Sequence, residues 1–292
     1  MSVVAAAGLT KRFGDVTALN DVTFTLTENR IYGLLGRNGA GKTTLMQLIT
    51  GQNSVTVGDL TLFGERPFEN ERALMQVVFI KESQKYPAAY QVRHVLSLAS
   101  RLFPNWDEDF AQSLVDEFEL PRKRTVRKLS RGMTSALGVT IGLAARAPLT
   151  FFDEPYLGLD AVARQLFYDR LLADYAENPR TVVLSTHLID EVADLIEHVL
   201  LLDHGKLLLD APSEELRGQV MEASGPAEAV DGFATAHRAL HREQLGGTAR
   251  TTLRGSFDNA ERMRAKKLGI DLAPVSLQQA VVRLTAEGTT PR

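Results

Sequence analysis

The sequence contains no cysteine. Disulfides, thiol nucleophiles and cysteine-held zinc are thereby excluded, and the composition is compatible with a reducing cytoplasm. No uncharged apolar run reaches the roughly 18 residues of a membrane span. The nearest, residues 137–152, is interrupted by Arg146 and Pro148. A signal peptide is not expected either, because the charged pair Lys11-Arg12 follows the N-terminus too closely and no basic stretch precedes it. The net charge is only −3, so the overall balance points to neither a nucleic-acid partner nor a polybasic membrane anchor. Repeats and low-complexity tracts are lacking too. What remains is a chain of 292 residues, 44% hydrophobic and 24% charged. Those proportions describe a globular protein of one large domain or two unequal ones.

One stretch stands out. Gly36-Arg37-Asn38-Gly39-Ala40-Gly41-Lys42-Thr43-Thr44 fits G-x-x-x-x-G-K-[ST], the phosphate-binding loop of nucleotide hydrolases. Residues 31–35 before it read as a short buried strand. Residues 43–50 after it read as a helix with Leu45, Met46, Leu48 and Ile49 on its apolar side. The glycines let successive backbone N–H groups approach and surround an anion, and the helix start adds the positive end of its dipole. Lys42 is placed to reach the β- and γ-phosphates, and the Thr43 hydroxyl to bind Mg²⁺. This pattern predicts binding of a nucleoside triphosphate.

Taken in order, residues 3–30 alternate like half-buried strands. Phe13, at a turn among them, either packs in the core or lays its ring against a bound purine. Residues 58–64 predict a strand between glycine turns, and Val77-Val78-Phe79-Ile80 a strand buried on both faces. Helical spacing then takes over, first in Val92, Val95, Leu96, Leu98 and Leu102, then in Phe110, Leu114, Val115 and Phe118. This predicts a helical subdomain, residues 88–146, inserted into a sheet domain. The basic run 122–128 is either a solvated face or a support for an anion near Ser130, at the start of a helix over 133–146.

Leu149-Thr150-Phe151-Phe152-Asp153-Glu154-Pro155 is the second strong signal. An apolar strand ends in two carboxylates at the edge where open α/β sheets bind ligands. Alternation separates their tasks: Asp153 for the Mg²⁺ shell, Glu154 to orient and deprotonate an attacking water. Gly158-Leu159-Asp160 follows, then a helix over 161–175 and a strand over 181–185 that runs into Thr186-His187. A histidine closing a parallel strand at the ligand edge reads as functional. Residues 199–209 predict a closing hairpin, and the whole a mostly parallel sheet covered on both faces. The composition shifts near 218–226. Residues 219–286 then read strand, helix, strand, strand, helix, helix, a small α+β unit without a catalytic constellation.

In this order the motifs resemble the ATP-binding subunit of ABC transporters, over about residues 3–218. More narrowly, Phe103-Pro104-Asn105-Trp106-Asp107-Glu108, the Lys-Leu-Ser-Arg-Gly-Met spelling and the tail Pro274-Val275-Ser276-Leu277-Gln278 are similar to the YtrB-like branch, whose members pair with ABC-2-type export permeases. The resemblance implies an α/β fold: a P-loop ABC ATPase domain (1–218) with an N-terminal β-subdomain, the helical insert, and a C-terminal accessory domain (219–292). It also implies a head-to-tail homodimer or heterodimer sandwiching two ATP with Mg²⁺. Phe13 would stack on adenine, Ser130 and Gly132 would contact the γ-phosphate held by the opposite subunit, and Asp160 would link the two sites. Glu154 would be the general base and His187 the γ-phosphate sensor.

The implied partner is an ABC-2-type permease and the implied place the inner face of the cell membrane, with no stable nucleic-acid binding. The alternative is a soluble ABC-type ATPase acting on nucleic acid or the ribosome. Two spellings depart from the family. The signature reads Leu129-Ser130-Arg131-Gly132-Met133 rather than Leu-Ser-Gly-Gly-Gln. Arg131 brings charge near phosphate, and its bulk is expected to make the local backbone harder to form than glycine. Glu82 stands where the family's Mg²⁺-linked glutamine should fall, which would place it in the metal shell, with Gln84 available only if the register slips.

Overall fold

The structure, a computed structural model, describes residues 1–81 and 84–288. Glu82, assigned above to the metal shell, lies outside the described residues.

The first half of the chain runs β1 (Ser2–Phe13), β2 (Val16–Thr27), β3 (Ile31–Leu35), α1 (Lys42–Ile49), β4 (Val57–Leu62), α2 (Glu71–Leu74), β5 (Val77–Lys81), α3 (Val92–Leu102), α4 (Glu108–Glu117) and α5 (Arg131–Ala144). It continues through β6 (Leu149–Asp153), α6 (Ala161–Glu177), β7 (Thr181–Thr186), α7 (Ile189–Val192), β8 (His198–Asp203), β9 (Lys206–Pro212) and α8 (Ser213–Gln219). The last quarter is β10 (Val220–Pro226), α9 (Ala227–Ala234), β11 (Arg238–Leu245), β12 (Thr248–Arg254), α10 (Asn259–Lys267), β13 (Asp271–Pro274) and α11 (Leu277–Gly288).

A six-stranded sheet of order β5-β6-β7-β3-β8-β9 forms the spine. Its first five strands are parallel and β9 returns antiparallel on β8. The central strands β3, β6 and β7 are buried along their whole length. Each is a short, largely apolar run, as a strand covered on both faces requires. One face packs on α1 and on the separate antiparallel sheet β2-β1-β4. The other carries the helices of the insert together with α6 and α7.

β5 is an edge strand, and here the structure differs from expectation. Val77 and Phe79 are only half-buried, on the side where Phe79 meets Phe151 edge-on. The insert is helical as expected, but α3 buries Val92, Val95, Leu96 and Ala99 and leaves Leu98 and Leu102 exposed. α5 starts at Arg131, two residues before the expected helix.

Beyond residue 219 a second sheet forms, of order β11-β12-β10-β13 and antiparallel throughout. With α9 and α10 it makes the split βαβ arrangement, β-α-β-β-α-β. The expected element order omitted β13, only four residues long and ending in Pro274. The closing helix α11 bridges this unit and the first, with Ala280 packed beside Val220 and Val275. It packs Leu277, Val281 and Leu284 into the same core as Ile189, Val192 and Leu216 of α7 and α8, and the Gln278 N–H donates to Asp190 Oδ1 at 3.3 Å.

Candidate active site

The strand ends of the parallel sheet open on a cavity of about 720 Å³, a size suited to a small-molecule ligand. It is lined by residues 38–44, by Val16, Thr17 and Ala18, and by Asp153, Glu154 and His187. The loop is folded as its spelling demands. Gly36 has φ 146, and a Cβ there would stand 2.2 Å from the Leu202 carbonyl oxygen. Gly41, the residue before α1, has φ 106 and would bring a Cβ within 2.7 Å of the Ala18 carbonyl oxygen. Gly36→Ala is therefore expected to weaken nucleotide binding at least tenfold, through both sterics and backbone strain. Titration with a fluorescent ATP analogue measures it, and binding within twofold of the native chain refutes this account of the loop.

Lys42 is buried, with its ammonium donating to the carbonyls of Gly36 at 2.7 Å and Arg37 at 3.2 Å. Burial pushes its pKa below the usual lysine value, while the nearby carboxylates of Glu154 and Asp153 oppose the shift. The Thr43 hydroxyl donates to Asp153 Oδ2 at 2.9 Å. Two hard oxygen donors side by side at a phosphate loop fit Mg²⁺, which takes few protein ligands and keeps water and phosphate oxygens.

Glu154 follows β6 directly in the left-handed region, φ 50, an unusual conformation for a residue with a side chain. The turn swings its carboxylate toward His187, whose Nδ1 lies 2.7 Å from Glu154 Oε2. Tyr156, which the sequence pattern did not single out, joins them. Its hydroxyl donates to Glu154 Oε2 at 3.2 Å. A carboxylate held beside a phosphate loop can accept a proton from water, and an exposed imidazole edge can meet a phosphate oxygen.

Phe13 is 46% exposed, so its core packing is overturned. It sits at the end of β1, outside the residues lining the cavity, with the Lys11 ammonium 4.8 Å above its ring. Ser130, Gly132 and Asp160 line a different cavity of about 750 Å³, which shares no lining residue with the first. Ser130 caps α5 by accepting from the Met133 N–H at 3.1 Å, and Asp160 caps α6 by accepting from the Ala163 N–H at 2.8 Å. A Cβ on Gly132 would come within 2.6 Å of the Gly158 carbonyl oxygen, so the first turn of α5 approaches the Gly158 loop this closely only because residue 132 is glycine. Arg131 does not strain this loop. It is the first residue of a regular helix, a conformation any side chain adopts. Of the basic run, Arg122 is paired with Asp116 at 2.6 Å and bonded to Gln112.

The geometry is thus a phosphate loop with paired carboxylates and a histidine at one sheet edge, and a helix-capping signature elsewhere. The family model for the ABC transporter matches residues 19–157. The chain is also 30% identical to the Nod factor export ATP-binding protein I of Rhizobium sp. (strain N33), over 98% of each chain.

The chain belongs to the ABC transporter family.

This ABC ATP-binding subunit is also similar to the ABC transporter ATP-binding protein YtrB of Bacillus subtilis (strain 168), at 25% identity over 73% of each chain. Bacitracin transport ATP-binding protein BcrA of Bacillus licheniformis matches at 28%, over 74% of this chain and 72% of that one. In fold it resembles the ATP-binding subunit of an ABC transporter, with TM-score 0.67, 24% identity, and coverage of 74% of this chain and 92% of the other. A dimeric ATP-binding cassette bound to ADP and Pi superposes with TM-score 0.63 at 20% identity, over 72% and 98%. The protein is an ABC-type ATPase of the P-loop α/β fold. The ABC ATPase has no described helix long and apolar enough to cross a membrane.

Proposed function

We propose that the protein is the ATP-hydrolysing motor of a membrane exporter, working as a head-to-tail dimer on an ABC-2-type permease at the inner face of the cell membrane. The observation that carries this is the separation of two half-sites. The phosphate loop, Asp153, Glu154 and His187 share one cavity, while Ser130, Gly132 and Asp160 line another. Each half-site is incomplete alone, and a second subunit turned head to tail supplies the missing half.

In this reading residues 36–44 hold the phosphates, and Thr43 with Asp153 would hold Mg²⁺, which would supply positive charge against the phosphates. Phe13 offers its exposed face to adenine. Glu154 takes the proton from the water that attacks the γ-phosphorus, and the bond to the β-phosphate oxygen breaks, leaving ADP and phosphate. His187 contacts the γ-phosphate. Ser130 and Gly132 meet the nucleotide of the opposite subunit, and Asp160 lies at the junction. Residues 1–218 form the ATPase domain and 219–292 the accessory domain. Similarity to bacitracin transport and Nod factor export proteins favours a drug-like or lipid-like cargo.

Affinity capture of the tagged chain from detergent-solubilised native membranes tests the proposal. A multi-span protein recovered in stoichiometric amount is expected. Recovery of ribosomes or nucleic acid in its place, in a salt-sensitive manner, would replace the exporter with the soluble alternative.

A further inference from the structure

Tyr156 is 3% exposed, and its hydroxyl lies within hydrogen-bond reach of four groups. These are Thr186 Oγ1 at 2.9 Å, the His187 backbone N at 3.2 Å, Glu154 Oε2 at 3.2 Å and His187 Nδ1 at 3.2 Å. A phenol has one proton and two acceptor positions, so the partners can be assigned. The backbone N–H of His187 can only donate. The Thr186 hydroxyl accepts from the Leu188 N–H at 2.9 Å and donates its own proton to Tyr156. Both acceptor positions are then filled, and the phenolic proton goes to the carboxylate, which can only accept.

Two further features fit. Burial pushes the phenol pKa up to about 12, so at working pH the group is a neutral donor and not a base. His187 Nδ1 stands 2.7 Å from the same oxygen that Tyr156 addresses. Since the tyrosine proton is already directed there, Nδ1 must carry its own proton to bond that oxygen. Which ring nitrogen faces the carboxylate is thus fixed, and Nε2 is left as the nitrogen not engaged by Glu154.

We propose that Tyr156 is a positioning residue for ATP hydrolysis, tying the Glu154 carboxylate and the His187 ring into one arrangement anchored on Thr186. The inference rests on the reading of Glu154 as general base. Glu154 needs such a tie. Its carboxylate ends a side chain with several rotatable bonds on a left-handed backbone, and a base is effective only when held in reach of its proton before the reaction. The ring also packs against the imidazole, 5.8 Å between centroids at 62°, so Tyr156→Phe keeps the packing and removes only the hydroxyl.

The test is steady-state hydrolysis of ATP with Mg²⁺ by the full chain, followed as phosphate release. In Tyr156→Phe, kcat is expected to fall roughly tenfold to a hundredfold, the range for a hydrogen bond to a charged group, while KM for ATP stays within about twofold. Adding Tyr156→Phe to Glu154→Gln is expected to cost nothing further in single-turnover rate, because the positioned carboxylate is already gone. Thr186→Val should lower kcat in the same direction and add nothing to Tyr156→Phe. If Tyr156→Phe fails to fold, Thr186→Val combined with Glu154→Gln carries the same comparison. Native kcat in Tyr156→Phe beside an inactive Glu154→Gln overturns the proposal and leaves the base assignment standing, as do losses that multiply in the double variant. Native turnover in Glu154→Gln itself overturns the base assignment, and this inference with it.

Discussion

Glu154→Gln is expected to bind ATP as the native chain does and to hydrolyse it roughly 10²–10⁴-fold more slowly, the usual cost of losing a general base. The substitution is close to isosteric. Its amide oxygen can still accept from Tyr156 and from His187 Nδ1, which both address Oε2 in the native site. What it cannot do is take a proton from water. In the proposed function the phosphates are held elsewhere, by the backbone of residues 36–44 and by Lys42, so affinity should hold. Equilibrium binding of a fluorescent analogue and phosphate release, measured on one preparation, separate the two effects. Turnover near the native rate would remove Glu154 from the chemistry, and loss of binding would mean that the carboxylate shapes the pocket instead.

The second large effect is structural. Asp174→Ala is expected to destabilise the fold by about 3–5 kcal/mol, the cost of removing one partner from a buried ion pair. Asp174 has only 3% of its side chain exposed and faces two guanidinium groups, Arg146 and Arg180, each at 2.6 Å. Arg146 also pairs with Asp107 at 2.6 Å, which ties the start of α4 to α6. The Arg180 contact is an ion pair without hydrogen-bond alignment, and its Nε and Nη2 find no partner among the described residues. Burial already pushes the Arg180 pKa below the usual arginine value, and Asp174 opposes that shift. Without Asp174 the cation stays buried and uncompensated. For a chain of this size the loss corresponds to a drop in Tm of about 10 °C. A drop under about 2 °C would show that the cluster relaxes at little cost.

The contrast between these residues shows what the sequence could disclose. The phosphate loop, α1 and the Asp153-Glu154 strand end were legible because their chemistry is written in residues a few positions apart. The same holds for His187, which closes a strand at the ligand edge. Tyr156 was not legible. Its partners Thr186 and His187 lie 30 and 31 residues away, and nothing in Pro155-Tyr156-Leu157 marks a hydroxyl aimed at a carboxylate. Strand β5 was assigned two buried faces because a run of Val77-Val78-Phe79-Ile80 reads alike at the centre of a sheet and at its edge. Only tertiary neighbours decide between those positions. Strand β13 was missed for the opposite reason, being too short to carry a period. Phe13 reads from its type as core or as ligand wall, and its exposure came from the placement of β1.

The docking of α11 bears on the order in which the molecule can be built. Leu277, Val281 and Leu284 complete a core begun by Ile189, Val192 and Leu216, across a separation of 88 residues at the Gln278–Asp190 contact. Synthesis delivers α7 and α8 long before their cover. While residues 219–276 emerge, at roughly 5–20 residues per second, the apolar side of the segment just past His187 has only a temporary environment. The core that α7 and α8 share with the final helix can therefore be completed only after the split βαβ unit has been made. A stop codon near residue 225 would do more than remove an appendage: it would leave the nascent motor with an open seam beside its own active site.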